Sequence, residues 1–246
     1  MASKIEMVVK LPSQGKPYED KKLAGDIKIT MITGLLEKKI YGSTSPTILD
    51  DIIKECVISP KIDPTKLTPD DKQFLLMKIR IHSYGPDYHV EGTCPECGYT
   101  KEYVSSLDEM EVKEYMEEWK EPIEEKLPVS GDTITVRALR VEDQNIIQSR
   151  VKRVAKNTKT KPAEQEFITT LAQALVSING EEKSITEREF YIQNLTARDL
   201  LVLKKMIRRY SGYGYQGKLP VKCESCGEEY EAPVVLGYEF FHPDLD

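Results

Sequence analysis

Two Cys-x-x-Cys-Gly turns carry the residue pattern in this 246-residue chain that has a defined chemistry: Cys94-Pro-Glu-Cys97-Gly98 in the middle and Cys223-Glu-Ser-Cys226-Gly227 near the end. Each turn sets two thiolates on one side of a tight bend, and its glycine supplies the positive φ that the bend needs. Two such knuckles offer four soft sulfur donors, the ligand set of a closed tetrahedral zinc site with no position left open for a substrate. Cys94, Cys97, Cys223 and Cys226 are therefore read as one structural site with one Zn²⁺ per chain, two separate sites being the other arrangement. A redox dithiol would sit in a strand-to-helix context that neither pair has. Disulfides would need an oxidising compartment and are not expected, because the first residues do not read as a secretory signal. The fifth cysteine, Cys56, falls on an apolar helix face with Ile48, Ile52 and Ile53 and reads as a small core residue.

The elements that must position these turns can be followed in order. Met7–Leu11 and Ile27–Ile32 alternate at period two and predict a short strand pair. Ser45-Pro46 predicts the start of a helix that ends near Pro60. Thr68-Pro69-Asp70-Asp71 opens a second helix, with acids at the positive end of its dipole, and Tyr84-Gly85 stops it. The chain then extends through Tyr88–Val90 into the first knuckle and leaves along Tyr103-Val104. Between Asp108 and Glu125 stand nine acidic residues against only Lys113 and Lys120. This stretch is expected to be an acidic helical linker, as a solvated face or a docking site.

Beyond the linker the pattern repeats. Leu127-Pro128 echoes Leu11-Pro12, and Ile134–Leu139 echoes the run at Ile27. Leu67, Thr68, Asp71, Leu75, Ile79, Arg80 and Ser83 recur as Leu195, Thr196, Asp199, Leu203, Ile207, Arg208 and Ser211. Tyr84-Gly85, Cys94, Cys97, Gly98 and Leu107 then match Tyr213-Gly214, Cys223, Cys226, Gly227 and Leu236. The expected fold is α+β: a helix-rich tandem duplication with short strands, its halves joined by a zinc-ribbon-like Cys₄ site. The expected domains are a first repeat over 1–107, the linker over 108–126, and a second repeat over 127–246. The second repeat carries a helical insertion over 141–180 that the first lacks, with helices near Val141–Asn157 and Pro162–Ser177.

Composition narrows the function. A net charge of −6, with 31 % charged and 39 % hydrophobic residues, is globular and argues against bulk nucleic-acid binding. No apolar run is long enough to span a bilayer. The concentrated basic stretch is Arg150, Lys152, Arg153, Lys156, Lys159 and Lys161. It is a candidate surface for an acidic partner or for phosphate, or else a solvated face. Around the knuckles, Glu91, Glu96, Glu102, Glu224, Glu228, Glu229 and Glu231 disfavour phosphate contact.

No catalytic constellation emerges. Gly212-Tyr-Gly214-Tyr-Gln-Gly217 fits G-x-G-x-x-G, but it follows a helix and leads to a knuckle. As a phosphate loop it fails at Leu219, where a Ser or Thr would hold Mg²⁺. His82, His89 and His242 show no ligand spacing. The expectation is no enzyme, no small-molecule substrate and no membrane.

Leu11–Tyr18, Ile48–Val57 and above all Phe74–Gly85 followed by Cys94–Gly98 resemble the T-even-type bacteriophage baseplate hub subunit family, as does the terminal Phe240-Phe-His-Pro-Asp-Leu245. The resemblance implies a non-enzymatic structural component of a contractile-tail baseplate. Such a protein is made in the host cytoplasm, carried in the virion tail and partnered by other baseplate and tail proteins in a multi-subunit assembly. A transient assembly chaperone absent from the virion is the alternative within that class, and a zinc-ribbon nucleic-acid-binding protein is the alternative outside it. Partner contacts are expected at Phe240 and Phe241, which either form a docking tail or fold back on the chain, and at Arg150 and Arg153.

Overall fold

The alternating N-terminal segments form a three-stranded antiparallel sheet. In the computed structural model, which describes residues 5–43, 45, 47–157, 161–234 and 238–241, β1 (Glu6–Val9) pairs with β2 (Ile27–Thr30), and β2 pairs on its other edge with β3 (Val57–Ser59). Period two buries Ile27 and Ile29 and leaves Lys28 in water. Between β2 and β3 run α1 (Gly34–Tyr41), capped by the Thr33 hydroxyl, and α2 (Ile48–Cys56). Ile48, Ile52, Ile53 and Cys56 form the expected buried stripe of α2. The helix starts behind Thr47, and Pro46 lies outside the described residues. It stops short of Pro60 because Val57 and Ile58, β-branched, continue as the strand beside β2.

The chain divides into two compact units. Unit 1 comprises Met1–Pro64, Asp70–Met116 and Tyr213–Asp246, and unit 2 comprises Thr65–Pro69 and Glu117–Gly212. At the centre of unit 1 is α3 (Pro69–Tyr84), bounded as expected and stopped by Gly85 at φ +88°. Phe74, Leu75, Leu76, Met77 and Ile79 are all buried, so this helix is wrapped on several sides and has no single apolar stripe. Its fully buried Asp71 accepts the Ser13 amide at 3.2 Å and the Tyr18 hydroxyl at 2.5 Å, tying the Leu11-Pro12 turn to the helix. Next, β4 (Asp87–Thr93) and β5 (Thr100–Ser106) form a ribbon with the first Cys turn at its tip.

The acidic stretch is not a helix. It contains a 3-10 turn at Leu107–Glu109, the two-residue β6 (Val112–Lys113), and β7 (Ile123–Lys126). In a helix, Glu114, Glu117, Glu118 and Glu121 would stack like charges three and four residues apart, and Pro122 would break the hydrogen-bond ladder. Its aromatics also serve two different cores. Tyr115 meets Tyr213 edge-on at 5.5 Å in unit 1, and Trp119 packs on Tyr210 at 5.1 Å in unit 2.

In unit 2 the sheet runs in the order β10-β9-β8-β7, with β8 (Thr133–Val136), β9 (Leu175–Ile178) and β10 (Glu181–Glu182). Between β8 and β9 lie α4 (Val141–Asn157) and α5 (Pro162–Ala174). The latter ends before the expected Ser177 because Leu175–Ile178 joins the sheet. Then come α6 (Ile185–Gln193), held by a Ser184/Glu187 capping box, and α7 (Ala197–Arg208), capped by Thr196. Ile134, Val136, Leu171, Leu175, Leu203 and Met206 form the centre of the unit 2 core. Asp199, fully buried in the first turn of α7, accepts the Val129 and Ser130 amides at 2.9 and 3.1 Å, as Asp71 does for Ser13 in unit 1.

The helices over 141–180, expected as an insertion, lie in a run whose element order occurs in unit 1 as well. The run β8-α4-α5-β9 has the element order of β2-α1-α2-β3, each second helix passes straight into its strand, and both pairings shift register, at Lys28/Ile29 and at Thr135/Val136. What differs is length: α4 and α5 have 17 and 13 residues where α1 and α2 have 8 and 9.

The chain then returns to unit 1. β11 (Gly214–Tyr215) pairs with β6, β12 (Lys218–Lys222) pairs with β13 (Glu229–Pro233), and a 3-10 turn covers Tyr238–Phe241. The units are therefore discontinuous in sequence, unlike the consecutive domains expected at 1–107 and 127–246. Leu236 of the repeat alignment lies outside the described residues.

Candidate metal centre

Each Cys turn is closed by its own backbone. The Cys94 amide donates to the Tyr99 carbonyl at 2.9 Å and the Gly98 amide to the Cys94 carbonyl at 3.0 Å. The second turn repeats this, with Cys223 to Glu228 at 2.8 Å and Gly227 to Cys223 at 2.9 Å. Gly98 and Gly227 take φ of +70° and +81°, where a side chain would be strained.

The two ribbon tips meet, and all four sulfurs lie within 4.8 Å of one another. The closest pairs cross between ribbons: Cys94 to Cys226 and Cys97 to Cys223, each at 3.6 Å. These separations are far beyond the roughly 2.05 Å of a disulfide. Cys94 and Cys223 are buried, while Cys97 and Cys226 face water. The Cys226 amide leads the hydrogen bonds that pull the Cys223 thiol down to about 7. Cys226 is pushed up to about 12: the Glu228 amide favours its thiolate, but the crowding sulfurs of Cys97, Cys94 and Cys223 outweigh it. Four thiols this close cannot all ionise without a cation among them, and the arrangement suits holding one.

Supports outside the sulfurs were not legible in the sequence. Lys101 bridges the two ribbons through Glu224 at 2.5 Å. Below the tips, Tyr103 and Tyr230 meet edge-on at 6.4 Å. Gly92 lies so close to them that a Cβ would stand 2.7 Å from the Tyr230 hydroxyl oxygen. Burial beside Tyr103 raises the Tyr230 hydroxyl well above its usual range. The sequence signal was the glycine itself, two residues before Cys94.

The other candidate residues are placed differently. Phe240 and Phe241 are 2 % and 1 % exposed, so they fold back and do not form an exposed docking tail. Phe240 packs on Tyr88 at 5.2 Å, its carbonyl accepts the Arg80 Nε at 3.2 Å, and the Arg80 guanidinium lies 5.8 Å from its ring. Arg150 is committed to Glu189, its Nε and Nη2 reaching the carboxylate at 2.6 and 2.5 Å, so it is not a free partner-binding cation. Arg153 is exposed. His82 meets the Ile5 carbonyl at 3.1 Å, His89 lies 3.4 Å from Glu102, and His242 and Lys159 fall outside the described residues. The glycine-rich segment 212–217 is used for pairing with β6 and opens no helix.

The fold and this centre define an α+β protein whose one group of potential metal ligands, among the described residues, is a cluster of four cysteines able to hold a metal ion. The family model for the T4 bacteriophage base plate protein matches residues 2–241, and the chain belongs to that family. No curated protein and no solved structure matched the chain. Membership implies association with other phage tail and baseplate proteins. Among the described residues, no helix is long and apolar enough to cross a membrane.

Proposed function

We propose that this protein is a non-enzymatic structural component of a contractile-tail baseplate, in its hub region. One zinc ion on Cys94, Cys97, Cys223 and Cys226 would lock the β4-β5 ribbon to the β12-β13 ribbon. The observation that carries this reading is the family match over residues 2–241 together with the sulfur cluster. Ligands about 2.3 Å from a tetrahedral zinc stand about 3.8 Å apart, close to the 3.6 Å of the two cross-ribbon pairs. Four thiolates leave no open coordination position, so the metal's role is to hold the fold.

Both ribbons belong to unit 1, so the metal closes that unit. The shared element order and the paired roles of Asp71 and Asp199 support descent from a tandem duplication. The experiment is to assay purified virions for the protein and its zinc content. Presence in stoichiometric amount with one zinc per chain supports the reading. Absence from virions whose assembly requires the gene would make the protein an assembly chaperone.

A further inference from the structure

Unit 2 carries a surface groove of about 510 Å³. Its walls come from α4 at Ile146, Ser149, Arg150 and Arg153, from Gln173 near the end of α5, and from Ile185 at the start of α6. One wall is fixed by charge. Arg150 is held by Glu189, which also accepts the Thr169 hydroxyl at 2.7 Å and the Gln165 amide at 3.1 Å. That network keeps the wall rigid and uses up the charge of Arg150.

Two features of the groove stay unmatched. Ile146 is 49 % exposed, an aliphatic surface open to water. Along the same side of α4, Lys152, Arg153 and Lys156 are exposed, and none of them forms an ion pair among the described residues. The acids on the elements packed against this face have partners already: Asp143 binds Arg137, Glu166 takes the Gln148 amide, and Glu189 holds Arg150. Three free cations on a chain of net charge −6 leave an attraction for carboxylates that this chain does not meet at this face.

We infer that this groove docks an acidic, apolar-anchored segment of another baseplate protein. Its carboxylates would meet Arg153, Lys152 and Lys156, and an aliphatic side chain would cover Ile146 and Ile185. A nucleic-acid backbone would use the cations but leave the aliphatic floor wet. An acidic peptide with apolar residues satisfies both. The inference rests on the reading of this chain as an assembling component.

The test uses the full-length protein and a fluorescein-labelled peptide of alternating Glu and Leu, with an all-Glu peptide and a short DNA duplex as comparisons. Anisotropy should show that the Glu/Leu peptide binds most tightly. Arg153→Glu and Ile146→Ser, both at exposed positions, should each weaken it about tenfold or more while the melting temperature holds. No binding, binding indifferent to both variants, or tighter binding of DNA that ignores Ile146→Ser would overturn the inference. Incorporation into baseplates is scored in parallel. If wild type and Arg153→Glu incorporate equally and the peptide does not bind, the groove alone is refuted. Absence of wild type from baseplates refutes the structural reading, and the peptide titration still decides the groove.

Discussion

The sulfur of Cys94 lies 3.6 Å from that of Cys226, a residue 132 positions further along the chain. Nothing in the local backbone of either turn requires this closeness, because each turn is complete in its own hydrogen bonds. Bringing four thiols together without a cation would crowd acidic protons and lone pairs at one point. The convergence therefore has a direct consequence for metal content.

Purified protein should contain one zinc per chain, and Cys94→Ser and Cys223→Ser should each lose it. Zinc binding in small metal-dependent domains is worth about 10–16 kcal/mol, comparable to the stability of a domain. Chelation should accordingly expose the β12-β13 ribbon to protease well before unit 2 is cut. Elemental analysis with limited proteolysis is the measurement, and zinc-free protein with an unchanged cleavage pattern would refute the staple.

Gly92→Ala should destabilise unit 1 by about 1–3 kcal/mol, since the new methyl group overpacks against the Tyr230 hydroxyl. Tyr230→Phe removes the atom in the way. The double variant should therefore melt above Gly92→Ala alone, and an additive loss would show that the contact is not the cause.

Phe240→Ala and Phe241→Ala should each cost about 3–5 kcal/mol, the range for emptying a buried aromatic site. Denaturant midpoints read this directly. Full stability with impaired assembly would instead mark these side chains as partner contacts.

Asp71→Ala leaves the buried Ser13 amide and Tyr18 hydroxyl without their acceptor, and Asp199→Ala does the same to the Val129 and Ser130 amides. Each should cost about 2–4 kcal/mol. Hydrogen exchange should localise the first loss to unit 1 and the second to unit 2. A uniform effect from either variant would contradict the division of the chain.

Burial, reinforced by the neighbouring Asp71 carboxylate, pushes the Asp70 carboxyl up to about 6 from an ordinary 3.8. The folded state then holds this proton more tightly than the unfolded state. The associated stability is complete below pH about 4 and is lost as pH rises through about 6. Asp70→Asn should raise stability at pH 7 by about 2–3 kcal/mol and leave it unchanged near pH 4. Equal gains at both pH values in paired urea titrations would exclude this origin.

Features written in local residue types were legible from the sequence: the Cys turns, the limits of α3, the start and end of α4 and the buried stripe of α2. The Ser184/Glu187 capping box that starts α6 is equally local, a Ser followed three residues later by Glu. Features decided by tertiary context were not legible. Like-charge stacking and Pro122 defeat a helix over 108–126, and Phe240-Phe241 looks like a free tail until Arg80 and Tyr88 are seen beneath it. The element order that β8-α4-α5-β9 shares with β2-α1-α2-β3 was not legible either, because the helices differ in length and only the strand pairing brings the order out.

The three-part make-up of unit 1 sets an order of events during synthesis. Its first two segments are synthesised without β11, β12 and β13 and with two of the four clustered cysteines, while the sequence of unit 2 is complete before residue 213 is added. Unit 2 has its full sequence before the last segment of unit 1 is begun, and unit 1 must wait for the last ribbon. Closing the four-cysteine cluster is then a late step, and a chain truncated before Cys223 would hold the whole sequence of unit 2 and a unit 1 that cannot close.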